Sequence, residues 1–374
     1  MIEVVVGDVP AQAVIDAFLA DSVQVYSYVD IFESDSTTLW KSRVAVTDGA
    51  VSVDSTRDER RNLDITFHDP DNDLGFGPDE FWYDKIIKPY RGVILPADNY
   101  AWVTCLGEFM VDRISRPNFP SLVTATCRDL TKKLKLSKLA VTTTFAAGTP
   151  VEDLIAAVAA NGGVTRVNLA ITDKTIPNDL TFERGTERWA VIKQLAESIN
   201  HEVFFDNFGY LTLRPYIDPI SSPLTMTFNT GRWGNIVNFT KQTDDTRLYN
   251  HVVVYGTSQA APLVYGEAEN NEPSSPTRIG LLGRRTYTYA SEFITTNAQA
   301  IAVAQRFLSR VALESYDISL ESIVLPWLEG GDAVEVVLPE AAAHEPTRFI
   351  LPQFTIPLGL ATQSGSAKRV SIVG

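Results

Sequence analysis

A short acidic segment, Asp69–Asp73, has the residue types and part of the spacing of a calcium-binding loop. Its carboxylates alternate along the chain, and Glu80 follows the first of them by eleven residues, which is how such loops supply oxygen ligands. However, Leu74 stands where the motif needs glycine for its sharp turn, and Pro70 stiffens the start of the loop. The preceding segment, Leu63–Phe67, predicts a strand where the motif has a helix. We therefore expect a solvated acidic turn after a strand, without a metal ion.

The histidines and cysteines are the next candidates for chemistry. The four histidines are scattered along the chain: His68, His201, His251 and His344. No pair of them has the spacing of zinc ligands, so each is predicted to be an ordinary strand-end or loop residue. The two cysteines, Cys105 and Cys127, cannot make a disulfide framework, and each is expected to be a small buried apolar residue.

The sequence carries no local signature of catalysis. It contains no G-x-S-x-G elbow, no phosphate-binding G-x-x-x-x-G-K loop and no H-E-x-x-H motif. We therefore predict no catalytic, cofactor-binding or metal-binding residue and no cofactor. A carboxylate pair for glycoside hydrolysis stays open, because folding rather than local spacing brings such a pair together.

Composition describes an acidic protein that is large enough for several domains. The chain has 374 residues, of which 32 are basic and 46 acidic, and its formal net charge is −14. A free-standing DNA-binding protein normally shows the opposite balance, with a basic face. The hydrophobic share of 45% suits an ordinary buried core. Since no signal peptide and no apolar run of membrane-spanning length is present, we expect a soluble protein made in the cytoplasm.

The first third of the chain is predicted to consist of strands and turns without a long helix. An alternating segment at Val23–Ile31 begins it, and Lys41–Asp54 predicts a hairpin that turns at Asp48 and Gly49. Three further strands are predicted at Asn62–Phe67, Gly92–Leu95 and Leu106–Asp112. Short strands separated by turn signals are typical of a barrel or a sandwich.

The middle of the chain combines helices with short strands. Arg128–Leu139 predicts an amphipathic helix that crosses between domains. Its four lysines would also suit an anionic partner: Lys132, Lys133, Lys135 and Lys138. A small-residue linker at Thr142–Gly148 leads to a helix that begins with a capping box at Thr149–Glu152. Thr186 is predicted to cap a second helix, and a hairpin around Asp206–Gly209 follows.

The last third is organised around Arg247–Val336. In it, His251–Tyr255 predicts a buried strand, and Gln259–Pro276 predicts an exposed, mobile polar loop. A helix is predicted from a cap at Thr295–Thr296 to about Leu313. Its apolar stripe is expected to be Ile301, Ala304, Leu308 and Val311.

The final strands complete this region. Leu320–Leu328 predicts a strand that pairs, through a tight turn at Glu329–Asp332, with the strand after it. Arg348–Ile356 predicts a closing strand in which Pro352 indicates an edge or a bulge. The tail after Ala361 is expected to be frayed.

This order of elements resembles the hub proteins at the tail tip or baseplate of tailed bacteriophages. The segments H-V-V-V-Y-G and G-D-A-V-E-V in the last third resemble the second tail-tube-like barrel of these hubs. The segments V-T-D-G-A-V-S-V-D, R-N-L-D-I-T-F and L-G-E-F-M-V-D resemble the first barrel of tail proteins from phages of actinobacteria. W-A-V-I-K-Q-L-A-E-S-I-N-H-E-V-F-F-D-N-F-G-Y-L-T-L resembles the small α/β domain between the barrels. The resemblance implies a mainly β fold with an α+β insertion: barrels at 1–135 and 225–374, and an α/β domain at 140–220.

The same resemblance implies a structural hub rather than an enzyme. It would form a homotrimer in which two barrels per chain close a ring of six similar units, joining the six-fold tail tube to the three-fold tip. Its partners would be tail-tube, distal tail and tail-tip or fibre proteins and the tape-measure protein. Genomic DNA would pass through without specific binding, and no membrane insertion is expected. The implied location is the virion tail tip, after assembly in the host cytoplasm.

A second hypothesis is a β-protein that binds or degrades carbohydrate of a cell envelope. Trp82, Tyr83 and Tyr90 could stack on sugars, although packing in a core or an interface is their expected role. Binding to cell-wall polymer, or release of sugars from it, would distinguish this protein class from a structural hub.

Overall fold

A computed structural model describes most of the chain: residues 3–7, 10–20, 22–95, 100–117, 121–176, 178–217, 221–231, 234–242, 248–257, 263–291, 294–311, 317–337 and 347–369. The predictions for Leu313, His344 and residues 259–262 of the polar loop lie outside these ranges. No helix within them is long and apolar enough to cross a membrane.

The helices and strands follow each other in this order. The first third contains β1 Glu3–Val6, α1 Gln12–Phe18, β2 Val25–Phe32, β3 Leu39–Val44, β4 Val46–Asp54, β5 Arg61–His68, β6 Ile86–Leu95, β7 Tyr100–Cys105, β8 Phe109–Ser115, β9 Leu122–Asp129 and α2 Thr131–Leu136. The middle contains β10 Thr143–Phe145, α3 Val151–Asn161, β11 Val167–Leu169, β12 Leu180–Phe182, α4 Arg188–Ser198, β13 His201–Phe205 and β14 Leu211–Pro215. The last third contains β15 Met226–Asn229, β16 Ile236–Gln242, β17 His251–Gly256, β18 Tyr265–Glu269, α5 Ile279–Leu282, β19 Thr286–Ser291, α6 Asn297–Val311, β20 Asp317–Ser322, β21 Asp332–Val337, β22 Thr347–Pro357 and β23 Gln363–Arg369.

One 15-stranded sheet joins the two ends of the chain. Its main path runs β1-β7-β6-β8-β9-β5-β4-β22-β23-β20-β16, with β2 and β3 attached at β6, and β21 and β15 at β22. One core cluster spans the sheet and includes buried aromatic residues from both ends: Phe67, Phe109, Phe228 and Phe349. Each fully buried side chain of this kind stabilises the fold by about 1.5–3 kcal/mol. The mainly β fold with an α+β insertion is therefore confirmed.

The predicted hairpin turn at Asp48 and Gly49 is wrong, because β4 continues straight through both residues. The strand pairs with β5, and the register shifts between Val46 and Asp48, so the Asp-Gly pair accompanies a bulge. A side chain at Gly49 would be crowded, because its Cβ would lie 3.0 Å from the side chain of Leu358 and 3.2 Å from the carbonyl oxygen of Asp64. The strand Asn62–Phe67 is confirmed within β5.

Two other strands of the first third have different bounds from those predicted. The predicted Gly92–Leu95 is the end of the ten-residue strand β6. Gly92 lies inside this strand, and the close approach of β7 explains why a glycine stands there. A Cβ at this position would lie 2.6 Å from the Cα of Val103 on β7. The predicted Leu106–Asp112 begins later, at β8, because Gly107 adopts a φ of 149° that interrupts the strand.

The middle of the chain forms its own core of helices and short strands. Helix α3 buries Val151, Leu154, Ile155 and Val158, as predicted from their spacing. Neither predicted cap is present. Thr149 donates its hydroxyl proton to the carbonyl of Ala146, and the residue before α4 is Glu187 rather than Thr186. The hairpin of β13 and β14 is confirmed, whereas the predicted linker at Thr142–Gly148 contains β10, which pairs with β12.

The basic segment before this region is also shorter as a helix than predicted. Arg128 still belongs to β9, and α2 has six residues, with Leu134 fully buried against the core of the middle region. Helix α2 packs against α4 and so links the first strands to the insertion.

A separate three-stranded sheet, β18-β17-β19, lies within the last third. Strand β17 pairs antiparallel with β18 and parallel with β19, and α6 covers these strands. The predicted strand at His251–Tyr255 is confirmed, but the polar loop after it contains β18. The cap of α6 is also confirmed, because Thr296 Oγ1 accepts the N–H of Gln299 and Gln299 Oε1 accepts the N–H of Thr296.

The buried face of α6 differs from the predicted stripe. Ala304 and Leu308 are buried as expected, but Ile301 is 43% exposed and Ala300 takes its place against the sheet. The cause is Gly266 on β18, which lets the helix backbone approach so closely that only a methyl side chain fits beside it. The side chain of Val311 lies outside the described part of the chain.

The predicted strand Leu320–Leu328 is wrong both in its bounds and in its pairing with the strand after the tight turn. Strand β20 ends at Ser322, and it pairs with β16 and β23, while β21 pairs with β15 and β22. The tight turn at Glu329–Asp332 and the bulge at Pro352 are both confirmed. The tail after Ala361 is not frayed as far as Arg369, because residues 363–369 form β23 in the sheet.

Candidate functional site

The carboxylates of Asp69 and Glu80, at the acidic turn after β5, accept hydrogen bonds from protein groups. Asp69 is buried, and its carboxylate accepts hydrogen bonds from Arg116 across 2.6 Å and from the N–H of Asp73 across 2.7 Å. The carboxylate of Glu80 accepts the N–H of Phe76 instead. In the part of the chain that the structure describes, these carboxylates form no group of three converging ligands. The prediction of a solvated turn therefore holds for Asp71 and Asp73, which are exposed, but it is wrong for Asp69, whose side chain is buried.

Both cysteines are buried and free of disulfides, as predicted. Burial raises the pKa of Cys105 to about 12 and also raises the pKa of Cys127. A thiol that stays protonated at neutral pH is a poor nucleophile and a poor metal ligand.

Lys132 and Lys135 of the basic segment contact carboxylates of the first third of the chain. Lys132 lies 2.8 Å from Asp112, and Lys135 lies 2.9 Å from Glu59 and 3.2 Å from Asp58. These ion pairs hold α2 against the first third of the chain, and the contact of α2 with α4 joins it to the insertion.

The aromatic residues considered for sugar binding pack against other rings. Trp82 contacts Phe76 and Tyr83 edge to face, with ring centroids 5.3 Å and 4.8 Å apart. Tyr90 stacks on Tyr28 at 4.6 Å, so one face of its ring is covered. This is the packing role that was expected of them.

A buried ionic junction connects the first third, the insertion and the last third. Arg61 donates to Glu329 across 2.6 Å and to the carbonyl of Leu106 across 2.9 Å. Its neighbour Arg60 donates to Glu202 across 2.7 Å. Burial alone would raise the pKa of Glu329, but Arg61 and Arg60 outweigh it, and its pKa lies below its usual value.

Phe204 completes this junction from the insertion. Arg60 and Arg214 both lie over its ring, with guanidinium carbons 3.7 Å and 4.7 Å from the centroid. Arg214 also pairs with Glu202 across 2.7 Å. Five charged side chains from distant parts of the sequence thus hold three regions in one arrangement, and sequence spacing carried no sign of it.

A second buried carboxylate, Glu108, attaches the insertion to the large sheet. Its Oε1 lies 2.7 Å from Lys88 and 2.6 Å from Arg166. Gly209, at a φ of 75°, faces this carboxylate so closely that a Cβ would lie 2.5 Å from it. The hairpin glycine therefore serves the contact as well as the turn.

The large sheet is open, and four described strands have a neighbour on one side only: β1, β3, β15 and β16. The longest of them are β3 and β16, which lie towards opposite ends of the sheet. Each exposes a large apolar residue, Leu39 at 50% and Val237 at 58%. Unpaired N–H and C=O groups beside apolar residues are a template for pairing with another strand.

An open groove of about 570 Å³ lies beside β16 and crosses β4, β20, β22 and β23. Serine, threonine, asparagine and glutamine line most of it. Its charged lining residues are Asp54, Arg57 and Glu321, and Arg57 pairs with Asp54 across 3.1 Å. The groove can therefore form hydrogen bonds, but it offers little positive charge.

The small sheet brings together a cluster that sequence spacing did not indicate. His251 on β17 lies beside Glu267 and Glu269 on β18, and within the described ranges these are the residues that could jointly hold a metal ion. The other described histidines lie apart, with His68 exposed at the end of β5 and His201 at the start of β13. The missed signal was strand pairing, because His251 and Glu269 are direct cross-strand partners.

Comparison with known proteins places this fold among phage tail proteins. A tail protein from Neisseria meningitidis MC58 is similar at 15% identity, with a TM-score of 0.65 and 93% of this chain and 97% of that chain covered. A 43 kDa tail protein of prophage MuSo2 from Shewanella oneidensis is similar at 12% identity, with a TM-score of 0.64 over 92% and 98% of the two chains.

A type VI secretion component from Escherichia coli, described as structurally similar to the T4 phage tail proteins gp27 and gp5, is also similar. It is 11% identical, with a TM-score of 0.50 over 88% of this chain and 74% of that one. No protein-family model and no curated protein matches the chain. The predicted resemblance is thus confirmed at the level of the fold.

Proposed function

We propose that the protein is a non-enzymatic structural hub at the tail tip or baseplate of a tailed phage or a related injection device. The observation that carries this proposal is the similarity in fold to phage tail proteins over more than nine-tenths of both chains. A match of this length leaves little of either chain outside the shared architecture. In this role, the hub holds other tail proteins and makes or breaks no covalent bond.

The open sheet supports assembly into a ring. We infer that β16 of one copy pairs with β3 of the next, because these are the longest edge strands of the large sheet among the described residues and each exposes an apolar residue. Such a head-to-tail contact uses two different surfaces, so it closes into a ring when the rotation between copies allows it. Three copies with two barrel-like parts each would present six similar units to the six-fold tail tube.

The groove and the net charge support passage of DNA without specific binding. A protein that grips DNA neutralises phosphates with lysine and arginine. This chain has a formal net charge of −14, and the one arginine that lines the groove is paired with Asp54. If the groove faces the lumen of the ring, it offers hydrogen bonds but little attraction to phosphate.

The remaining partners follow from the same location. A ring at the tail tip would contact the tail-tube and distal tail proteins on one side, the tip or fibre proteins on the other, and the tape-measure protein inside. Assembly would take place in the host cytoplasm, and the mature location would be the virion tail.

Electron microscopy of an assembled tail that contains this chain tests the proposal. The expected result is density for three copies in one ring at the tip. A different copy number would overturn the trimer, and absence of the chain from the tail would overturn the structural role.

Cysteine cross-linking in the assembled particle tests the strand pairing. Chains with Leu39→Cys and chains with Val237→Cys should form disulfide-linked dimers when they are mixed and little when each is alone. The native thiols do not interfere because both are buried. Ile171→Cys, at a residue that is 94% exposed, controls for random collision. Cross-links equal to that control, or cross-links of Val237→Cys with Val5→Cys on β1 instead, would overturn the β3–β16 contact.

A further inference from the structure

We propose that His251, Glu267 and Glu269 form a binding site for a divalent transition-metal ion, with zinc as the best fit. Strand pairing brings the three side chains together. His251 lies opposite Glu269 in the β17–β18 register, and Glu267 stands two residues before Glu269. Because side chains alternate along a strand, the two glutamates point to the same face of the sheet as the histidine opposite them.

The distances suit a tetrahedral zinc site. His251 Nε2 lies 3.2 Å from Glu267 Oε2 and 3.8 Å from Glu269 Oε1. All three ligand atoms lie within 4.8 Å of one another. Ligands bound at the usual zinc distances of about 2.0–2.2 Å in a tetrahedron are about 3.3–3.6 Å apart. The side chains therefore need only small rotations to bind an ion.

The imidazole of His251 is held with Nε2 towards the carboxylates. Its Nδ1 lies 2.8 Å from the hydroxyl of Thr286 on β19, and its side chain is 6% exposed. When Nδ1–H donates to this hydroxyl, Nε2 carries the lone pair that a metal ion requires. Because the hydroxyl can also donate to Nδ1, the same contact suits the state in which Nε2–H donates to Glu267.

The two carboxylates are also held by neighbouring groups, as is usual for metal ligands. The hydroxyl of Tyr265 donates to Glu267 across 2.5 Å, and the amide of Asn271 donates to Glu269 across 3.2 Å. Since the side chain of Glu267 is 45% exposed, water can reach a fourth ligand position.

Arg284 is the group that an ion would displace. Its guanidinium pairs with Glu269 Oε1, the oxygen nearest to His251, and its side chain is 55% exposed and free to turn outwards. With the histidine neutral, two carboxylates balance the charge of a divalent ion without the arginine.

The ligand types indicate a transition metal rather than calcium or magnesium. Calcium takes six to eight oxygen ligands, and magnesium keeps several waters in an octahedron. One imidazole and two carboxylates with one open position suit zinc better. Such an ion would join β17 to β18 and stabilise the small sheet, whatever the role of the whole protein.

Zinc binding to the full chain, freed of metal with a chelator, tests the proposal. We expect one zinc ion per chain in a competition titration with a chromogenic chelator, and a higher unfolding temperature with zinc but not with magnesium. Cobalt substitution should give the visible absorption of a four-coordinate site. The proposal would be overturned if the wild-type chain bound no more zinc than the ligand variant Glu267→Gln, or if it bound calcium or magnesium equally well.

Variants distinguish this site from adventitious binding. Glu267→Gln and Glu269→Gln should weaken zinc binding by at least about 10-fold, since loss of a supporting group alone costs about 10–100-fold. Arg284→Gln should strengthen it several-fold by removing the competing cation. Glu272→Gln on the same segment and His201→Asn elsewhere should leave it unchanged, because neither residue belongs to the cluster. Unchanged zinc affinity in Glu267→Gln, a variant at an exposed residue, would contradict the assignment.

Discussion

The guanidinium of Arg61 donates to the carboxylate of Glu329 across 2.6 Å, although 268 residues separate them in sequence. The side chains are only 2% and 17% exposed. Two charges removed from water in this way attract each other strongly, but each is costly to bury without its partner. The pair therefore adds little net stability. It favours the one arrangement in which these two parts of the chain are in contact, because any other contact would bury one charge without its partner.

Removal of one partner should destabilise the protein strongly. We expect Arg61→Met to lower the free energy of unfolding by about 3–5 kcal/mol, because Glu329 then stays buried with only the more distant Arg60, at 3.8 Å, to balance its charge. The double variant Arg61→Met/Glu329→Leu should recover most of this loss. Urea denaturation measures both. Arg57→Gln is the control: it breaks an ion pair whose arginine is 70% exposed, and it should cost less than about 1 kcal/mol. Equal losses of unfolding free energy in Arg61→Met and Arg57→Gln would contradict this expectation.

The buried carboxylate of Asp129 should make stability depend on pH. Burial raises its pKa from 3.8 to about 6, although N–H groups of Arg61 and Thr131 oppose this. The folded state thus holds the proton more tightly than the unfolded chain, and the resulting stability is present below about pH 4 and is lost as the pH rises through about 6. At about 1.4 kcal/mol per pKa unit, the difference between wild type and Asp129→Asn should change by about 3 kcal/mol.

Denaturation of both proteins at a series of pH values measures this difference. Asp112→Asn provides a control with the opposite sign, because the hydrogen bond from Lys132 lowers the pKa of Asp112. The stability that Asp112 contributes is present above about pH 4 and is lost only as the pH falls further. The difference in free energy of unfolding between wild type and Asp112→Asn should therefore stay constant between pH 4 and 6.5. A flat difference for Asp129→Asn over that range would show that its pKa is ordinary.

The close approach of α6 to β18 should make Gly266 intolerant of a side chain. A Cβ there would lie 2.5 Å from the carbonyl carbon of Ala300, so the helix must shift away from the sheet. We expect Gly266→Ala to lower the free energy of unfolding by about 1–3 kcal/mol. Gly280→Ala is the matched control, because nothing lies within 4 Å of its Cβ position. Equal thermal stability of the two variants would show that the helix adapts freely.

The cap of α6 should have a measurable effect, and the position predicted to cap α4 should not. Thr296→Ala removes the hydroxyl that accepts the N–H of Gln299, and we expect a loss of about 1 kcal/mol. Thr186→Ala should cost less, since the residue before α4 is Glu187 and no side chain caps that helix. Chemical denaturation compares the two. A larger loss at Thr186 would reverse this assignment.

Local periodicity predicted those parts of the fold that local contacts decide. The stripe of α3 from Val151 to Val158 and the hairpin of β13 and β14 both have their partners nearby in sequence. Prediction failed where a distant strand decides the outcome. Asp48 and Gly49 are a strong turn signal, but β22 pairs with the second half of β4, and the extended strand prevails.

The candidate sites show the same limit more strongly. His251 and Glu269 are 18 positions apart in the sequence, and only the register of β17 and β18 makes them neighbours. The junction of Arg60, Arg61 and Glu329 depends on three regions meeting. By contrast, the resemblance in the order of elements needed no side-chain geometry, and it indicated the fold correctly.

The pairing of β4 with β22 has a consequence for folding during synthesis. Residues such as Val51 and Ile356 are direct partners although about 300 positions separate them, so this contact has a high sequence separation and forms slowly. At about 5–20 residues per second, a ribosome needs about 15–60 s between these strands. Throughout that interval β4 presents an unpaired edge, with Val51 and Val53 uncovered, while the insertion can already complete its own core. The nascent chain is therefore most prone to aggregation before its last strands emerge, and we expect chaperone binding to concentrate there.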